Sequence, residues 1–266
     1  MRGINIAGAA LGLMAAVSGV AHAATLSLGE ACDIKTTVPV SLLGFDGSDV
    51  TAIIKGYDNL KPKDQYETTA AFRARHAKEV ASLASPLQCI AVKPWSIGSK
   101  YDADHKRLTV DIDSWPSGYG SDEGVRFMTG SKLISSSSYV GSNAFGVTRD
   151  VTKTESVEYG VSFDKRSYLA DLRKIGARKD PTNELASIIS MAVAPEKAKA
   201  IGEYNLRILL VYKWVPPYIL TDSDYHEATI TEPHQDHTSK EYLRAHLLRV
   251  IVFNVTSGEI LFDRKV

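Results

Sequence analysis

Residues 64–89 read DQYETTAAFRARHAKEVASLASPLQC, one uninterrupted helical pattern running into an apolar segment that carries a cysteine. Asp64 followed by Glu67 has the form of a capping box, in which a short side-chain oxygen and a carboxylate satisfy free amides at a helix start. From Tyr66 to Ala84 there is no Gly or Pro, and Ala, Arg, Lys and Glu dominate, all strong helix formers. Phe72, His76, Val80 and Leu83 recur at helical spacing while Arg73, Arg75, Lys78 and Glu79 lie off that stripe, so an amphipathic helix over about 65–84 is predicted to lay one face on a core. Ser85-Pro86 stops it. Leu87 to Val92 then has the content of a short strand.

Downstream the pattern turns to strands. Leu108, Val110 and Ile112 alternate with Arg107, Thr109 and Asp111, a half-buried strand. Pro116 to Gly124 reads as a loop, Ser135 to Ser138 as a turn, and Tyr139 to Val147 as a strand interrupted by Gly and Asn. Val151 to Phe163 has strand composition, with Gly160 suggesting a bulge. Lys165 to Asp180 is charged, with a helical turn near Tyr168 to Lys174. Leu185 to Val193 fits helix or strand and is assigned to strand because Pro195 opens a cleaner helix that Gly202 ends. Leu206 to Trp214 alternates and is expected to stop at Pro216-Pro217. Leu243 to Val255 is apolar on both parities, as in a central strand covered on both faces. Thr256-Ser257-Gly258 turns it into Glu259 to Phe262.

Upstream, Thr36 to Leu43 could form a strand, Gly44 to Gly47 a turn, and Val50 to Ile54 is too short to separate helix from strand. The expected architecture is therefore α+β: a largely antiparallel sheet, one main amphipathic helix (about 65–84) and a short second helix (about 195–201). It forms a single domain over 24–266, with room for two lobes meeting near 165–180.

The N-terminus carries Arg2, an apolar run from Ile4 to Val20, and Ala21-His22-Ala23. That is the order of a secretory signal peptide, residues 1–23, cleaved after Ala23. The expected location is periplasmic or secreted, with no integral membrane span after cleavage. Removal takes 31 basic residues to 30 (31 − 1) against 31 acidic ones and leaves 243 residues (266 − 23). A near-neutral chain has no electrostatic footprint for nucleic acid. Cys32 and Cys89 are the two cysteines. In an oxidising compartment, with no CxxC spacing, they are expected to form a disulfide. Closing that loop stabilises the fold by about 4 kcal/mol in the chain-entropy model.

No coherent catalytic constellation stands out. His226, Glu227, Glu232, His234, Asp236 and His237 cluster in sequence, and His226, His234, Asp236 and His237 are the candidate metal ligands. Their spacing lacks the i, i+4 geometry of a zinc helix, which favours a solvated hairpin loop. Asp102, Asp104, Asp111 and Asp113 resemble a calcium loop in composition, but Lys106 and Arg107 stand where an oxygen ligand and a glycine are needed. His76 is a candidate general base whose apolar neighbours favour a packed role. Neither Gly120 to Gly124 nor Gly141 to Ala144 matches a nucleophile elbow. Trp95, Trp115, Trp214, Tyr119, Tyr139 and Tyr218 could line a binding platform. The resulting expectation is an exported, non-catalytic binding or envelope-associated protein without a cofactor, whose partner is an unidentified protein or small molecule. The alternative is a metal-dependent hydrolase using the cluster at 226–237.

Overall fold

The computed structural model describes residues 32, 45–85, 87–92, 97–112, 124–179, 187–202 and 205–266. The expectations for 1–23, Thr36 to Leu43 and Pro116 to Glu123 lie outside them. In chain order come α1 (Val50–Asp58), α2 (Thr69–Leu83), β1 (Gln88–Ala91), β2 (Ile97–Asp102), β3 (Arg107–Ile112), β4 (Gly124–Ser142) and β5 (Thr148–Asp164). Then follow α3 (Lys165–Lys174), β6 (Arg178–Lys179), β7 (Ser187–Ala192), α4 (Pro195–Ile201), β8 (Leu206–His226), β9 (His234–Asn254) and β10 (Ile260–Lys265).

The α+β expectation is overturned. Strand accounts for 56% and helix for 21%, so the protein is mostly β, with a few minor helices. The main sheet runs β1-β8-β9-β5-β4 with β10 also on β9, and a smaller sheet runs β2-β3-β7-β6. The main sheet is curled and mixed: most of its ladders are antiparallel as expected, but β5 pairs parallel with β9 over Thr152–Phe163 and His234–Ala245. Beyond that stretch β10 takes the same side of β9, from Arg249 to Phe253.

Two long hairpins make the difference. The serine run Ser135 to Ser138, expected as a turn, lies inside β4 and pairs with Thr152 to Glu155 of β5. The turn falls instead at Asn143, whose carboxamide oxygen accepts from the Phe145 and Val147 amides at 3.0 Å each, while Gly146 takes a positive φ of 78°. Likewise Pro216-Pro217 does not end β8. The strand absorbs the prolines in a register shift between Trp214 and Ile219 and continues to His226. A missing amide is tolerated at such a shift, where the ladder is already broken.

The helix at 65–84 is also displaced from its expected role. It starts at Thr69, with Thr68 rather than Asp64 as the cap, accepting from the Ala71 amide. Asp64 instead closes a separate turn onto the Tyr66 amide. Only Val80 of this helix is buried. Other helices serve the core: α3, through Tyr168 and Leu172, and α1, the segment whose sequence pattern was undecided. Asp49 caps it by accepting from the Ala52 amide at 2.9 Å, and Val50, Ile53 and Ile54 are buried in one cluster with Tyr159 and Val161 of β5. Burying each such aliphatic side chain contributes about 1.5–3 kcal/mol.

The base of the main sheet is covered on both faces. Leu206, Ile208, Leu210, Leu247, Val250 and Val252 join the large cluster. Leu209, Val211, Ile251 and Phe253, of opposite parity, join a second one with Cys32, Phe45 and Cys89. Both parities of β8 and β9 are apolar there for that reason. The smaller sheet adds Leu108, Val110, Ile112, Ile189 and Met191 to the large cluster. Cys32 and Cys89 are joined by a disulfide across 57 residues. No helix among the described residues is long and apolar enough to cross a membrane.

Candidate functional site

Beyond this double-layered base the four strands β8, β9, β5 and β4 run on together as a blade, built from residues 219–226, 234–243, 148–159 and 130–142. Side chains alternate between its two faces. One face carries a row of paired polar groups, with Leu133 and Val140 of β4 on the same side. Thr154 donates to Asp236, Ser156 and Thr238 share a hydrogen bond of 3.0 Å, and Lys240 pairs with Asp224. Nearer the base, Arg126 Nη1 donates to Asp222 at 3.0 Å and its guanidinium stacks on the Tyr242 ring, 5.1 Å from the centroid. The hydrogen bond from Arg126 holds the Asp222 carboxyl below the usual carboxylate range. Gly160 lets Tyr242 lie flat across β5, since a Cβ there would meet the Phe127 carbonyl oxygen at 2.4 Å and the Tyr242 ring at 2.7 Å. On the opposite face Tyr139 donates to Gln235 and Gln235 donates to Tyr225, each at 2.9 Å, and the Tyr225 and His237 rings meet at 6.3 Å.

Apolar side chains sit on the blade with nothing described over them. Leu133, Ile134, Val140, Val147 and Tyr225 are exposed, and Phe145 at the tip of the β4–β5 turn is 91% exposed. Scattered apolar residues are ordinary on a surface; here several fall on one element, over both of its faces and its tip. The sequence did contain a cue: Leu133-Ile134 and Tyr139-Val140 bracket the four serines. Reading the serines as a turn hid it.

The two long edges of the sheet are treated differently. Along β1 the outer edge is closed by residues 46–48: the Ser48 amide donates to the Cys89 carbonyl at 2.7 Å and the Ala91 amide to Asp46 at 3.1 Å. Gly47 makes this approach with a φ of 107°, and a Cβ on it would fall 2.3 Å from the Cys89 carbonyl oxygen. Further along, β8 bears Pro216, Pro217, Asp222 and Asp224, residues that discourage strand addition. β4 bears no proline or acidic side chain over its distal length, where its register shifts once, between Leu133 and Ser135. Among the described residues no strand pairs with its outer side, and from Ser131 to Ser142 it holds a single charge, Lys132.

The residues singled out from sequence distribute as follows. His226 and Asp236 face each other across β8 and β9, His234 Nε2 lies 2.9 Å from Asp236, and His226 Nε2 lies 3.6 Å from Glu232. His237 is on the other face, against Tyr225. The strand alternation thus separates His237 from the other three, and no three His, Cys, Asp or Glu side chains among the described residues gather closely enough to hold a metal ion. Asp102 serves the β2–β3 turn, accepting from the Asp104 and His105 amides at 3.0 and 3.1 Å and meeting His105 Nδ1 at 2.7 Å. Backbone hydrogen bonding from His105 lowers its pKa. Asp111 lies in β3, while Asp113 is outside the described residues.

His76 packs in a ring cluster, 5.5 Å from Tyr57, 5.3 Å from Phe72 and 6.2 Å from Tyr218. Trp214 closes it at 4.9 Å from Tyr218. Trp214 and Tyr218 do come together, as a joint between α1, α2 and the β8 register shift. Tyr139 belongs to the blade, and Ser142 is the last residue of β4. Trp95, Trp115, Tyr119 and Ser121 are outside the described residues.

Compared with known protein families, curated proteins and solved structures, the chain matches none.

Proposed function

We propose that this is an exported binding protein that makes its contacts through the blade and carries out no catalysis there. The observation that supports this is the set of apolar side chains on a projecting sheet whose polar groups are otherwise paired among themselves. Half-exposed ion pairs and hydroxyl hydrogen bonds link the strands of the blade, while Leu133, Val140 and Phe145 present surface that gains free energy only when something covers it. Export rests on the signal-peptide pattern of residues 1–23 and accords with the Cys32–Cys89 disulfide.

The test places a photo-crosslinking amino acid at Phe145, or at Ser257 in the β9–β10 turn at the far end of β9, in cells that export the chain. A discrete adduct from position 145 and none from 257 is expected. No adduct from 145, or the same adducts from both positions, would overturn the reading.

A further inference from the structure

The outer edge of β4, which no strand covers among the described residues, is self-complementary, and we infer that its occupant is the β4 strand of a second copy of this chain, added antiparallel about Ser137. This rests on the proposed binding role of the blade and names the partner. Antiparallel self-pairing brings together residues equidistant from the dyad, and both must point to the same face of the sheet. Register on β5 decides which residues those are. Ser137 faces Lys153; Val140 faces Asp150, three positions toward the tip; Leu133 faces Ser156, three positions toward the base. Leu133 and Val140 are therefore equidistant from Ser137 on the same face, because the register shift between Leu133 and Ser135 corrects the parity that the bare sequence gets wrong.

The match extends further. Ser136 and Ser138 face Thr154 and Thr152, and Ser135 and Tyr139 face Glu155 and Val151. Lys132 and Gly141 face Val157 and Arg149, and Ser131 and Ser142 face Glu158 and Thr148. A second β4 centred on Ser137 would thus set Leu133 against Val140 twice, serine against serine in the middle, and Lys132 against Gly141. No like charges oppose each other, and the central side chains are small enough for two blades to meet edge to edge. The result is one sheet continuous through both copies, closed by two-fold symmetry, with the unpaired backbone groups of both edges satisfied. The cross-strand apolar pairs add to this.

The experiment uses the mature chain and two variants at the dyad, Ser137→Lys and Ser137→Glu, with sedimentation equilibrium as readout and far-UV circular dichroism as the folding check. Each variant would place two like charges directly opposite. The wild-type chain is expected to sediment at twice the chain mass. Each variant alone should be monomeric at the same concentration, with association at least tenfold weaker, while retaining the wild-type spectrum. An equimolar mixture, with Lys facing Glu, is expected to restore the two-chain mass. A mixture that stays monomeric, or variants that dimerise as well as wild type, would overturn the assignment. So would a wild-type chain that remains single, including one that floats with phosphatidylglycerol vesicles, which would assign the edge to lipid. Assemblies larger than two would point instead to head-to-tail addition of β4 on β8, and would equally overturn it. A single-chain wild type that still crosslinks from Phe145 to another protein would remove self-pairing and leave the binding role intact.

Discussion

The two edges of the main sheet solve the same problem in opposite ways. At β1 the backbone groups are met by residues 46–48 and the strand is tied by the Cys32–Cys89 disulfide. At β4 a longer run of backbone has serines at its centre, Lys132 as its single charge and no described partner strand. An edge is open by default, and closing it takes specific residues: a glycine at positive φ, a cysteine pair, prolines, aspartates. Among the described residues none of these meets the distal length of β4, which is why the proposed contact is placed there. The contrast also separates stability from binding, since changes at the closed edge should be felt in folding and changes at the open edge in association.

The largest expected effect is on the closed edge. Replacing both Cys32 and Cys89 by Ser should lower the unfolding free energy by about 4 kcal/mol in denaturant titrations, the chain-entropy value for a loop of this length, without altering the crosslink from Phe145. Gly47→Ala comes next. Its Cβ would lie 2.3 Å from a backbone oxygen at a φ of 107°, so a loss of about 3 kcal/mol is expected, read in the same titration. Gly160→Ala probes the blade's root, where a Cβ would meet Phe127 and Tyr242. A loss of about 2 kcal/mol together with faster amide exchange in β4 and β5 would show that the Arg126–Tyr242–Asp222 layer shapes the blade. Unchanged exchange would show that it does not.

The smallest effect is a pH dependence. Asp222 titrates below its ordinary value because of its hydrogen bond from Arg126. A carboxyl whose folded pKa is depressed adds stability above the unfolded pKa of about 3.9, and that contribution is lost as pH falls through the folded value. The stability difference between wild type and Asp222→Asn should therefore be present near neutral pH and shrink below about pH 4. A difference that persists at low pH would assign Asp222 a role other than its charge.

Much of the base could be read from the sequence. The alternation of Leu108, Val110 and Ile112, the double-sided apolar run at 243–255 and the Pro195 to Gly202 helix are local patterns, and each is where expected. The blade could not be read that way. Ser135 to Ser138 have weak intrinsic strand preference, and what makes them a strand is pairing with β5, a tertiary cause that overrides local composition. The same holds for β8, which passes through two prolines because β9 continues to pair on the far side. The helix at 69–83 misled in the other direction: its propensity is high, yet it buries only Val80. Propensity reports which segments can be helical, while burial decides which one the core needs. Among the site candidates, His226 to His237 looked coherent because they are close in sequence, and strand alternation is what sends His237 to the other face.

Amide hydrogen exchange of the wild-type chain, followed by mass spectrometry at several protein concentrations, tests the difference between the two edges most directly. Segment 88–91 should be protected to the same degree at every concentration. Segment 131–142 should exchange rapidly at roughly half of its amides when dilute, those facing away from β5, and become protected as concentration rises. Protection of 131–142 that is already complete at the lowest concentration, or that never changes with concentration, would contradict the account.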